Sequence, residues 1–108
     1  MSKKQYIDEI NFIITNFDEI DDRYFKHELL QNLFTEVGNF ITKTDALDDI
    51  SCRGILTKSV SLLENLREVC IDDNLAAGLT DIVNKYPDDT AVQYVAKVAG
   101  SCSRCTVC

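Results

Sequence analysis

The stretch DRYFKHELLQNLFTEVGNFITK, residues 22–43, decides the fold class. Leu30, Leu33, Phe34, Val37 and Ile41 fall on one stripe of an α-helix and do not fit the alternating faces of a strand. Phe25, Leu29 and Phe40 widen that stripe. The helix expected from Asp22 to Lys43 therefore carries more apolar surface than one neighbour covers. The spacing predicts a central helix in contact with two neighbouring elements.

On the N-terminal side, Tyr6, Ile10, Ile13, Ile14 and Phe17 predict a helix from about Lys3 to Phe17. DEIDD, residues 18–22, interrupts it, and its carboxylates suit an N-cap and the positive end of the next helix dipole. On the C-terminal side, helical spacing resumes after TKTDALDD with Leu47 and Ile50, and Gly54 marks a start or a bend. Leu56, Val60, Leu63, Leu66 and Cys70 continue a third stripe, flanked by Leu62 and Val69, until CIDDN breaks it at residues 70–74. Leu75, Leu79, Ile82, Val83 and Tyr86 form a fourth, closed by Pro87. In DDTAVQYVAKVAG, residues 88–100, Val92, Val95, Ala96 and Ala99 share one face, whose small residues allow close helix approach, and Gly100 is the expected stop.

The pattern predicts an all-α fold, a compact bundle of about five helices joined by short Asp-rich turns. A single helical domain is expected over 1–100, followed by a flexible Cys-rich tail at 101–108. NLAAGLTDIVNKYPDDTAVQYVAKVAG, residues 74–100, resembles one helix pair of a HEAT or armadillo array. The resemblance consists of periodicity and a turn over about a quarter of the chain. It implies HEAT-like pairing of the last two helices and nothing about function, because stacked repeats need neighbours to bury a continuous core.

A chain of 108 residues closes one hydrophobic core rather than two. With 45% hydrophobic and 27% charged residues it belongs among chains that fold. The net charge of −7 comes from 18 acidic residues against 11 Lys and Arg. Such a surface repels nucleic acid, whose binding needs clustered cations, and it repels an anionic membrane. No apolar run approaches the roughly 20 residues of a membrane span. MSKKQYIDEI develops no apolar core of a signal peptide, and the five cysteines are odd in number, so reduced thiols and a cytoplasmic location are expected.

The segment SCSRCTVC places Cys102, Cys105 and Cys108 in a C-x₂-C-x₂-C run. Structural zinc needs a fourth ligand, which would have to come from Cys52, Cys70 or His27, and no second C-x₂-C exists. A redox pair is activated at a helix N-terminus, whereas this run follows an expected helix C-terminus. CTVC departs from a prenylation box at Thr106 and Cys108. The expectation is a reduced thiol tail with no metal and no cofactor. His27, the only histidine, sits in HELL on the long helix, and no serine elbow or Gly-rich phosphate loop accompanies it. An enzyme is not expected.

Eleven of the 18 acidic residues lie at or beside helix junctions: Asp18, Glu19, Asp21, Asp22, Asp45, Asp48, Asp49, Asp72, Asp73, Asp88 and Asp89. Capping needs one carboxylate per helix, and the chain supplies pairs. The carboxylates read either as helix caps and solubilising charge or, in their excess, as a surface for a basic protein partner, since complementary potentials speed encounter. Asp18, Glu19, Asp21, Asp22, Asp45, Asp48 and Asp49 are the expected contact residues, with Tyr24 or Tyr6 as aromatic anchor. The matching function is an immunity or inhibitor protein that covers the cationic site of a basic effector such as a nuclease toxin. The alternatives are a helical scaffold or adaptor with an apolar groove, and a metal or thiol protein acting through the C-terminal cysteines.

Overall fold

Asp22 opens the long helix by accepting from two backbone donors, Tyr24 N at 2.8 Å and Phe25 N at 3.4 Å. The computed structural model describes residues 2–64 and 73–100. These described residues contain five α-helices: α1 (Lys3–Phe17), α2 (Arg23–Lys43), α3 (Arg53–Leu63), α4 (Asp73–Lys85) and α5 (Thr90–Gly100). No strand occurs among the described residues. The fold is all-α, with α1, α2 and the α4–α5 break where the sequence spacing puts them.

Local chemistry fixes the ends. Ser2 and Gln5 form a reciprocal capping box at α1: Ser2 Oγ accepts from Gln5 N, and Gln5 Oε1 accepts from Ser2 N at 2.6 Å. Asp89 starts α5 by accepting from Ala91 N at 3.0 Å and Val92 N at 3.2 Å. Pro87 disfavours helical backbone at Tyr86, and α4 stops at Lys85.

Between α2 and α3 the structure departs from expectation. Leu47 and Ile50 do not belong to an α-helix; two single 3₁₀ turns, Ala46–Asp48 and Ile50–Cys52, occupy that stretch, and α3 begins beside Gly54. Asp49 stops α propagation there by taking Ser51 N at 2.9 Å onto its own carboxylate. The expected continuation of the third helix through Leu66, Val69 and Cys70 and the tail at 101–108 lie outside the described residues.

The central role expected of α2 holds, and it packs on α1, α3 and α4. Leu33, Phe34, Val37 and Phe40 on α2 are sealed from solvent together with Ile10, Leu56 and Leu63 from its neighbours. α1 runs antiparallel to α2, since Tyr6 meets Phe40 at 5.9 Å between ring centroids while Phe17 lies under the Lys26 ammonium. α5 closes the bundle against α3 and α4, burying Val92 and Val95.

Two glycines set the approach of α2 to α4. A Cβ at Gly38 would lie 3.0 Å from Leu75 Cδ1, and a Cβ at Gly78 would lie 3.2 Å from Thr42 Cγ2. Each helix thus offers a gap one side chain wide to a knob on the other. Ser59, the one buried polar residue among the described residues, donates its hydroxyl to Ile55 O at 2.7 Å.

Candidate functional site

The expected contact residues fall into two groups at opposite ends of α2. With 21 residues rising 1.5 Å each, α2 separates them by about 30 Å. No single small contact spans both.

At the end near the α2 C-terminus, the carboxylates are committed internally. Lys3, at the start of α1, reaches Asp49 at 2.6 Å and Asp45 at 3.1 Å. Asp48 accepts the Tyr86 hydroxyl at 2.9 Å on both oxygens. Arg53 donates to Leu47 O at 2.7 Å and pairs with Asp89 at 2.6 Å, so the 3₁₀ turns are tied to the α4–α5 turn. The Lys3 ammonium and the Ser51 hydroxyl and amide hold the Asp49 carboxyl well below the usual carboxylate range. The same pairing raises Lys3, and Asp48 pushes the Tyr86 phenol up. These groups fasten the bundle. Part of their charge is neutralised in doing so, while Asp48, held by a neutral phenol, stays charged and exposed.

The other end is different. Asp18, Glu19 and Asp21 are exposed around the α1–α2 turn and form no ion pair with any described residue. Asp22 is the α2 cap. Tyr24 is 66% exposed and meets Phe25, itself 55% exposed, edge to face at 5.9 Å. The Glu28 carboxylate beside the Tyr24 hydroxyl raises that phenol's pKa. Tyr24 is therefore available as an anchor, and Tyr6 is not: it is 4% exposed, packed against Phe40 in the core.

The spacing puts Phe25 on the widened buried stripe, yet it is 55% exposed and helps to form a cavity of about 210 Å³ with Ile20, Glu28, Leu29 and Asn32. The sequence does carry a trace of this feature. Phe25, Leu29, Asn32 and Glu36 share a helical stripe that turns from apolar to polar along its length. Glu36 ends it with one buried carboxylate oxygen that has no hydrogen-bond partner. Desolvation, and then the Glu9 charge on α1, raises its pKa above the ordinary 4.5.

The signs of these shifts oppose one another. Asp49, with a depressed folded pKa, contributes stability that is present above the ordinary 3.8 and lost as pH falls toward its folded value. Glu36, raised in the fold, does the reverse: folding is favoured while it is protonated, and that advantage disappears as pH rises through its folded pKa. Glu36→Gln is therefore expected to stabilise the protein at pH 7, by about 1 kcal/mol or less given its partial exposure, and to change nothing near pH 3. Thermal unfolding of both proteins at the two pH values measures this. An equal gain at both would show that charge is not the cause.

A second, wider cavity of about 310 Å³ lies between α4 and α5, lined by Ala76, Leu79, Thr80, Val83, Ala96 and Ala99, with no charged group among these six. Cys52 is buried in the core, and desolvation raises its thiol, which makes it a poor nucleophile. His27 is exposed on α2. Among the described residues no group of three or more His, Cys, Asp or Glu is arranged to hold a metal ion, and no helix is long and apolar enough to cross a membrane. The C-x₂-C-x₂-C run lies outside the described residues. Comparison with protein-family models, with curated proteins and with solved structures finds no match to this chain.

Proposed function

We propose that this protein is a small acidic inhibitor, of the immunity type, that binds a basic partner protein and covers its cationic site. The observation that carries this is the α1–α2 end, where Asp18, Glu19 and Asp21 are exposed in the turn and pair with no cation among the described residues, and where Tyr24 and Phe25 are exposed in the first turn of α2 that follows. Aromatic side chains at the centre of a charged rim are the usual anatomy of a binding hot spot. A site that handles phosphates, as in a nuclease, is cationic, so the rim would steer the encounter and the aromatics would slow dissociation. The carboxylates at 45–49 serve this function indirectly, by holding the bundle that presents the other end.

The test is affinity capture by the tagged protein at low and high salt, followed by kinetics with the isolated partner. A basic protein retained at low salt and released at high salt is expected. Asp18→Lys/Glu19→Lys/Asp21→Lys should slow its association tenfold or more, whereas Asp81→Lys/Asp88→Lys, at exposed positions elsewhere, should have a much smaller effect. A partner held equally at both salt concentrations and by the charge-reversed protein would sink the inhibitor function. The α4–α5 cavity supports the second possibility, an adaptor that takes an apolar helix, and it predicts salt-resistant binding abolished by Ala96→Arg.

A further inference from the structure

We propose that the cavity formed by Ile20, Phe25, Glu28, Leu29 and Asn32 is a seat for an arginine side chain of the basic partner. This assignment rests on the inhibitor function proposed above and names the chemistry recognised at its acidic end.

The walls fit a guanidinium and its stem. Ile20 and Leu29 are aliphatic and offer cover to three methylenes, which long basic side chains bury along apolar surface. Phe25 is more than half exposed and offers a ring to a flat cation. Glu28 supplies a carboxylate and Asn32 an amide oxygen, acceptors for the donors of a guanidinium. A depression of about 210 Å³ has room for one large side chain. Lysine meets the same charge but is a compact, strongly hydrated point cation that loses more on entering apolar walls and cannot stack.

The surrounding field has the right sign. Asp18, Glu19, Asp21, Asp22 and Glu28 lie at or near this end against Arg23, Lys26 and His27. The Lys26 ammonium is already placed 5.0 Å from the Phe17 ring centre. The positive end of the α2 dipole would repel a cation, but Asp22 accepts from its first donors and offsets it. About one turn beyond Asn32 on the same stripe of α2, Glu36 lies near enough to Glu9 of α1 to feel its charge, which adds to the negative strip. A negative strip with an apolar, aromatic-walled pocket selects a basic segment carrying at least one arginine. It gives no reason to hold an acidic or purely apolar one.

The experiment is an amide and aromatic NMR titration of the full chain with three capped tripeptides, Gly-Arg-Gly, Gly-Lys-Gly and Gly-citrulline-Gly. The arginine peptide should shift Phe25, Leu29 and Asn32 saturably in the millimolar range. The lysine peptide should bind at least threefold more weakly, and the neutral citrulline peptide should leave these signals in place. Phe25→Ala and Glu28→Gln, both at exposed positions, should each weaken the arginine response at least threefold while the remaining spectrum stays that of the folded protein. Equal responses to arginine and lysine, or shifts spread over the acidic surface, would overturn the seat while leaving a basic partner intact. An absent arginine response alongside a salt-sensitive captured partner would do the same. A saturable arginine response without any basic partner would keep the seat and overturn the inhibitor function.

Discussion

Alanine at Phe34 is expected to cost about 3–5 kcal/mol, the range for removing a fully buried aromatic ring. Phe34 is sealed from solvent on α2, the helix that packs on three others, so the cavity cannot be closed by a shift of one neighbour. A small protein holds roughly 5–15 kcal/mol in all, and such a loss leaves it marginal. Urea unfolding should show a much lower midpoint with an unchanged slope, and the melting temperature should fall by roughly 12 °C or more. Phe25→Ala makes the same chemical change nine residues upstream on the same helix, where the ring is 55% exposed. It should cost about 1 kcal/mol or less. Similar losses at the two sites would mean that α2 does not present these faces as described.

That contrast also marks where sequence reading stops. Leu30, Leu33, Phe34, Val37 and Ile41 name the buried face of α2 by spacing alone, because a helix repeats its direction every 3.6 residues. Phe25 fits the widened stripe equally well, yet whether a neighbour reaches it depends on where α1 ends in space. Leu47 and Ile50 are three residues apart, a spacing shared by α and 3₁₀ turns, and Ile50 proves fully solvent-facing at 88% exposure.

The acidic residues show the same limit. Counting carboxylates per junction identifies an excess but not its owner, since Lys3 lies 42 and 46 residues from its two partners. Only the antiparallel pairing of α1 on α2 brings that ammonium to Asp45 and Asp49, while Asp18, Glu19 and Asp21 pair with no cation among the described residues. The arginine-sized cavity needs Ile20 from the turn beside three positions of the α2 stripe, and the direction of a turn is not written in periodicity.

The second large effect is expected at Arg53, a residue whose 44% side-chain exposure makes it look dispensable. Its partner Asp89 has a side chain only 10% exposed, and that carboxylate also caps α5. Arg53→Ala leaves a largely buried carboxylate with its two amide donors but no counter-charge, and it strips Leu47 O of its donor. Breaking a fully buried pair costs 3–5 kcal/mol, and partial exposure of the guanidinium reduces this to about 2–3 kcal/mol. Lysine should rescue little, because one ammonium does not reproduce a fork that serves Asp89 and Leu47 together. Asp89→Asn keeps an oxygen for the cap while removing the charge, so the double variant Arg53→Ala/Asp89→Asn should be more stable than the sum of the single losses by about 1 kcal/mol. A double-mutant cycle by urea unfolding measures that coupling. Additive losses would show that the ion pair is a surface contact, and that the α2–α3 connection and the α4–α5 turn are held together by apolar packing instead.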